Sequence, residues 1–257
     1  MPQILFDNVS KLFLSQSGPV QALSNVTLRI ADGEFLCVLG ASGCGKSTML
    51  NLVAGLETPD SGRILVDDVK VNAPGPDRVV MFQEAALFPW LNVLHNVAFG
   101  LKMAGYSKKD RHDQALELLK LVKLERFASA WTHELSGGMK QRVALAAALA
   151  LNPGILLMDE PFAALDAQTR DQLHVEIETI WEQTGKTIIF VTHNVREAVR
   201  LGTRVLLMSP KGGRVSREYQ IDLPRHRHLE DVDLVRIASV LRDDLSSEVL
   251  KAGAVHE

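Results

Sequence analysis

The sequence predicts an α/β protein with a helical block inserted in its middle, and three observations predict it. Short apolar runs at Leu36–Leu39, Ile155–Met158 and Thr187–Val191 read as buried strands. Residues 84–150 contain helical patterns and no strand candidate of quality, so they read as an insertion in the α/β core. Residues 36–48, LCVLGASGCGKST, join a strand to a helix through a glycine-rich turn. This is the G-x-x-x-x-G-K-[ST] pattern in its required context of strand, loop and helix.

The chemistry of that turn is specific. Gly40, Gly43 and Gly45, with Ala41, Ser42 and Cys44 between them, let successive N–H groups point inward. The helix that follows adds the positive end of its dipole. Lys46 supplies a point charge for the β- and γ-phosphates of a nucleotide, and Ser47 a hydroxyl for Mg²⁺. Thr48 completes the motif. The competing reading is a tight turn feeding a helix that happens to carry a lysine; the flanking strand and helix weigh against it.

Composition sets outer bounds. A chain of 257 residues, 46% hydrophobic, can bury a substantial core as one large domain or two small ones. A formal net charge of -3 argues against a dedicated nucleic-acid binder. The two cysteines, Cys37 and Cys44, form no disulfide framework, so a reducing compartment is expected. The stretch Met1–Phe13 lacks a basic region followed by a long apolar run, so no secretory signal is expected. The longest small-apolar run, Val143–Leu151, is too short to span a bilayer. Any membrane crossing must come from another chain.

The remaining elements follow in order. Ile4–Ser10 alternates as an edge strand, and Val20–Ile30 reads as a strand pair or one bent strand. Phe13, between them, reads equally as a ring to stack on a base or as a core or edge aromatic. Asp32-Gly33 turns the chain into the phosphate-loop strand. After the Pro59–Gly62 turn, Arg63–Val71 reads as one strand and Val79–Phe82 as a buried one. Gln83 ends it, at the strand edge where α/β folds bind ligands. It reads as a contact to a metal or γ-phosphate, or as a simple strand-end cap.

Residues 92–104, 107–123 and 137–151 read as helices, the second with an apolar stripe through Leu116, Leu118, Leu119, Leu121 and Val122. The run Lys108–Asp113 reads as a solvated face. Ser136 can cap the third helix, and Gly137 and Gly138 leave room for a ligand near the backbone. Asp159 and Glu160 end an apolar strand, where a carboxylate pair is costly unless it acts. Asp159 suits Mg²⁺ and Glu160 suits polarising a water for attack on a γ-phosphate. Asp166 can cap a helix over 167–183. His193, after Thr192, can reach a γ-phosphate, and Asn194 caps residues 195–201. Arg204–Met208 is the last core strand, followed by a turn at Pro210–Gly213 and an edge strand, Val215–Ile221. The basic stretch Arg225–His228 precedes a terminal amphipathic helix, about 230–251, and its histidines read as surface groups.

With these residues in view, the chain resembles the ATPase subunit of an ABC transporter over nearly its whole length. The matching stretches are GASGCGKST (40–48), LSGGMKQR (135–142), ILLMDEP (155–161), Ala164-Leu165-Asp166, Gln83 and His193, in family order. The resemblance implies the P-loop NTPase ABC ATPase fold, with mixed sheets and an inserted helical subdomain. It divides the chain into an ATPase domain, 1–222, with 84–150 inserted, and a short helical extension, 223–257. It implies ATP and Mg²⁺ as ligands and gives Phe13 the adenine-stacking role. It assigns catalysis to Glu160, His193, Gln83 and Lys46, and metal contact to Ser47, Gln83 and Asp159. Two such domains pack head to tail, so Ser136, Gly137, Gly138 and Asp166 serve the nucleotide of a second ATPase subunit, identical or paralogous. Transmembrane permease subunits are implied, an indirect solute-binding protein, a station at the cytoplasmic face of the inner or plasma membrane, and no nucleic acid.

Within the family the resemblance is to the nitrate/sulfonate/taurine importer branch, through NAPGPDRVVMFQ (72–83), LFPWLNVLHNVAFGL (87–101), LLMDEPFAALDAQTR (156–170) and IIFVTHNVREA (188–198). An exporter or lipid-trafficking ATPase and a non-transport ABC ATPase are the alternatives. The single cassette without a long coiled coil opposes the latter. Four positions depart from the family pattern: Ala147 for arginine, Asn194 for aspartate, Ala163 for glycine and His95 for aspartate.

Overall fold

The computed structural model describes residues 3–16, 18–210 and 212–253. In chain order the elements are β1 (Ile4–Ser15), β2 (Gly18–Ile30), β3 (Phe35–Leu39), α1 (Lys46–Ala54), β4 (Ser61–Val66), β5 (Val69–Lys70), β6 (Arg78–Met81), α2 (Val93–Met103), α3 (Lys108–Leu121), α4 (Gly137–Leu149), β7 (Ile155–Asp159), α5 (Ala167–Thr184), β8 (Thr187–Thr192), α6 (Val195–Leu201), β9 (Arg204–Met208), β10 (Val215–Gln220) and α7 (Val232–Gly253). Two compact units are formed: Met1–Gly75 with Gly185–Glu257, and Pro76–Thr184.

The first unit carries an antiparallel sheet in the order β2-β1-β4-β5. β2 is one strand whose pairing with β1 shifts register between Phe6 and Val9 and again around Lys11. Asn8 and Asn25 take up those irregularities in left-handed backbone, which asparagine tolerates. The single strand expected over 63–71 is instead a hairpin. Val66 pairs with Val69, and Asp67 and Asp68 between them have φ of 48° and 63°. Positive φ at both central residues defines the tight turn that matches strand twist, and aspartate accepts it. Two aspartates inside an alternating run are the signal for this turn.

The same unit holds the phosphate-loop strand. β3 lies between β8 and β9, parallel to both, and β10 pairs antiparallel to β9. All five residues of β3 and all six of β8 are buried, as near-continuous apolar runs in parallel sheets should be. Register sets Leu39 beside both Thr192 and Leu207, so these strands end together. Lys211, part of the expected turn at Pro210–Gly213, lies outside the described residues.

In the second unit β6 runs parallel to β7 with Met81 beside Met158. β6 is less buried than expected: only Met81 is fully enclosed, and Phe82 is exposed. Its helices are capped by side chains, with Asn92 Oδ1 accepting from His95 N at 2.8 Å and Ser107 Oγ from Asp110 N at 3.2 Å. α2 buries Val93, Val97 and Leu101, a helical repeat on one face. On α3 the buried stripe is narrower than the leucine pattern implied. Ala115, Leu119 and the capping Val122 are enclosed, whereas Leu121 is exposed.

The basic stretch before α7 contains a structural residue that charge alone did not reveal. Arg227 is buried, and its guanidinium donates to the carbonyls of Val199 (2.7 Å), Gly202 (2.7 Å), Ile221 (2.9 Å) and Leu223 (3.0 Å). Arg225 Nη2 donates to Leu201 O at 2.8 Å. The two cations meet carbonyls at the C-terminal end of α6, where the helix dipole favours positive charge. Tyr219 and Arg217 of β10 both bond Asp244 of α7, tying the terminal helix to the same unit. Replacing Arg227 by Met keeps its stem but orphans these carbonyls. Urea unfolding should show a loss of about 3 kcal/mol, the scale of several charge-assisted bonds less their solvation; an unchanged midpoint would show that they contribute nothing.

Candidate active site

The phosphate loop leaves β3 and enters α1 through Gly45, which has φ of 102° and lies at the helix N-cap. A Cβ there would stand 2.2 Å from the Ala22 carbonyl oxygen, so both the dihedral and the neighbouring strand exclude a side chain. No side chain caps α1 and no acidic residue lies in its first turn. Its N–H groups therefore have a vacancy that suits an anion. Lys46 is buried, and its Nζ donates to the carbonyls of Gly40 and Ala41, each at 2.9 Å. The ammonium is thus drawn back along the loop that a phosphate would share. The donor set fits a nucleotide triphosphate: main-chain N–H groups, one buried ammonium and the Ser47 and Thr48 hydroxyls.

His193 follows the last residue of β8 in this unit and is exposed. Its backbone is held by a network: Thr192 Oγ1 bonds the buried Glu197 carboxylate, and Asn194 N donates to Thr192 Oγ1 at 2.9 Å. Asn194 Oδ1 accepts from Arg196 N at 3.0 Å, so asparagine caps α6 as expected. Phe13, on β1, is exposed enough to meet a base, and Lys11 Nζ stands 5.1 Å from its ring centre. Lys11 is itself anchored by Glu57 at 3.3 Å and Asp60 at 3.6 Å. Burial pushes the Cys37 thiol well above its ordinary range, and Cys44 is buried as well.

The second unit gathers the other expected residues. Asp159 ends β7, and Glu160 follows at φ 44°. A glutamate in left-handed backbone costs roughly 1–3 kcal/mol, a strain that clusters at functional sites. Both carboxylates are half-buried. Ser136 caps α4 through Oγ, which accepts from Met139 N at 3.3 Å. Gly137 is exposed. Gly138 is buried, and a Cβ on it would stand 2.3 Å from Thr169 Cγ2, so packing of α4 against α5 also favours glycine there. Asp166 Oδ1 accepts from Thr169 N at 3.0 Å. That bond holds its carboxyl below the usual range.

The segment after Gln83 has an organiser that the sequence reading missed. Asn96 is buried; its amide donates to the carbonyls of Phe88, Leu91 and Asn92 and accepts from Phe88 N at 2.8 Å. A lone amide on the apolar face of α2 was the available signal. Phe88 stacks between Trp90, 5.4 Å away, and Phe99, 4.4 Å away, while Trp90 stays 69% exposed.

The departures have structural answers. Ala163 is not in left-handed backbone, so alanine costs nothing there. Ala147 lines a cavity of about 260 Å³ with Phe82, Leu87, Phe88, Phe99 and Leu151. His95 is exposed and borders a cleft of about 400 Å³ with Lys108, Lys109 and Arg111.

Fold and loop together define a phosphate-loop ATPase with mixed sheets and an inserted helical subdomain. The ABC transporter family profile matches residues 23–163. The taurine import ATP-binding protein TauB of Burkholderia pseudomallei is 47% identical over 237 residues, covering 92% of this chain and 91% of that protein. The nitrate import ATP-binding protein NrtD of Synechocystis is 49% identical over 217 residues, covering 84% and 82%. A dimeric bacterial ABC transporter cassette superposes with a TM-score of 0.77 at 38% identity, over 86% of this chain and all (100%) of that one. A dimeric post-hydrolysis cassette bound to ADP and phosphate gives 0.76 at 37%, with the same 86% and 100% coverage. The chain belongs to the ABC transporter family and is an ABC-type ATPase. Among its described residues, no helix is long and apolar enough to cross a membrane.

Lys46→Ala should weaken ATP binding by about a hundredfold or more, since charge-assisted contacts to two phosphates are lost. Equilibrium binding of a fluorescent ATP analogue measures it. Near-parental affinity would remove Lys46 from the phosphate site.

Proposed function

We propose that this chain is the ATP-hydrolysing subunit of an importer for small oxyanion-bearing solutes. It would work at the cytoplasmic face of the membrane through separate permease chains. The solute class is carried over from relatives named for taurine and nitrate import. The observation that carries the enzymatic part is the uncapped N-terminus of α1 with Lys46 folded onto the Gly40 and Ala41 carbonyls. We take residues 1–222 as the ATPase domain, 84–150 as its helical insertion and 223–257 as an extension.

In this reading Gly40–Thr48 hold the triphosphate and Phe13 stacks on the adenine. Ser47, Gln83 and Asp159 offer oxygens to Mg²⁺, a hard cation that takes such ligands. The ion would neutralise charge on the phosphates. Glu160 orients and polarises the attacking water, and His193 and Gln83 contact the γ-phosphate. Ser136, Gly137, Gly138 and Asp166 serve the nucleotide of a second, identical or paralogous subunit. The exposure of Ser136 and Gly137 at the start of α4 supports that use. The exposed Trp90 beside a segment fixed by Asn96 supports a permease contact at Leu87–Leu91, and the permease would in turn meet a solute-binding protein.

Glu160→Gln tests the shared site. The amide is nearly isosteric, so Mg²⁺·ATP should bind, but it cannot take a proton, and turnover should fall by at least about a hundredfold. The trapped ATP should hold two chains together. Light scattering after size exclusion should give a dimer with Mg²⁺·ATP and a monomer without nucleotide. Adding Ser136→Arg should abolish the dimer and spare ATP binding. A Glu160→Gln protein that stays monomeric at saturating ATP, or turns over at the parent rate, would contradict the reading.

A further inference from the structure

Gln141 lies on α4 beyond Ser136 and is buried at 5% exposure. Its Nε2 donates to the main-chain oxygen of Gln83 at 2.7 Å. Its Oε1 is buried and has no hydrogen-bond partner among the described residues. The amide orientation follows from the contact, because exchanging N and O would set two acceptors against each other. An orphaned buried acceptor costs stability. A methionine or leucine would fill the same space without that cost. The residue therefore does something that filling the core does not require.

What it does is hold Gln83. Gln83 lies beyond the end of β6 in a stretch without helix or strand, and its side chain is exposed. A single buried side chain joins its main chain to the helix that Ser136 caps. The next residue secures the helix on its other side, with Arg142 Nη1 at 2.5 Å from Glu176 Oε1 and Nη2 at 3.0 Å from Gln172 Oε1.

We propose that Gln141 is a positioning residue that makes Gln83 and the Ser136 end of α4 move as one piece. This rests on the function proposed above, in which Gln83 meets the γ-phosphate of the chain's own nucleotide and Ser136 that of its partner. A γ-phosphate bound in one site then biases the half-site offered to the other, a coupling between the two ATP sites of a dimer. Gln141 touches neither nucleotide and acts through Gln83.

The test compares the full-length parent with Gln141→Met and Gln141→Glu in steady-state ATP hydrolysis, thermal melting and fluorescent-nucleotide binding. Gln141→Met removes both the orphan acceptor and the donor to the Gln83 carbonyl, two opposing effects, so it should melt close to the parent temperature and bind ATP with parental affinity. Its kcat should fall about tenfold, the worth of one hydrogen bond, with KM within about twofold and a Hill coefficient moving toward one. Gln141→Glu sets a carboxylate against the Gln83 carbonyl. Burial raises that carboxyl, so its protonated form regains a donor, and the ratio of its kcat to the parent's should climb from about pH 8 to about pH 6. A Gln141→Met protein with parental kcat and Hill coefficient would overturn the proposal. So would one that melts well below the parent, which makes Gln141 core packing, and so would a Gln141→Glu ratio flat across pH. A parent protein without ATP hydrolysis would overturn the proposed function and this inference with it.

Discussion

The uncapped first turn of α1 is the constraint on which the rest depends. Side chains cap α2, α3, α4, α5 and α6, through Asn92, Ser107, Ser136, Asp166 and Asn194. α1 has none, and Gly45 occupies the capping position. That vacancy survives because tertiary packing enforces it. The Ala22 carbonyl would meet any Cβ on Gly45, and the buried face of α1, Met49, Leu50, Leu52 and Val53, fixes the helix axis. The main-chain N–H groups of that turn, the helix dipole and the buried ammonium of Lys46 then favour one class of ligand, a polyphosphate.

Both units spend their sequence the same way. Each sets parallel strands side by side and carries its candidate site residues at or just past their carboxyl ends: the loop at 40–48 and His193 in the first, Gln83, Asp159 and Glu160 in the second. Strand ends are where main-chain groups lose their ladder partners, so ligands and catalytic side chains find backbone to bind there. The strained backbone of Glu160 and the orphan acceptor of Gln141 are local costs that packing alone does not explain.

Much of this was legible in the amino acids. The phosphate loop could be read because spacing, glycine content and flanking strand and helix are all local. The capping roles of Asn194, Ser136 and Asp166 were legible for the same reason. The hairpin at Asp67-Asp68 was missed because alternation continues on both sides of the turn and only the two adjacent aspartates mark it. Arg227 could not be singled out of its basic stretch because its carbonyl partners lie far back in the chain, at Val199 and Gly202, and a main-chain partner leaves no mark on composition. Gln141 and Asn96 were missed for a related reason: each bonds backbone outside its own helix, and only the lone amide on the apolar face of α2 hinted at Asn96. Gly138 has a packing role besides the one read from the sequence, since a Cβ there would meet Thr169.

The most direct measurement is calorimetric binding of ATP and of AMP to the parent protein at one fixed Mg²⁺ concentration. AMP keeps the base and the ribose but lacks the β- and γ-phosphates that the proposed function assigns to the α1 turn and Lys46. ATP should bind at least about a hundredfold more tightly, the equivalent of about 2.7 kcal/mol. Equal affinities for the two nucleotides would contradict a site organised around the open turn of α1.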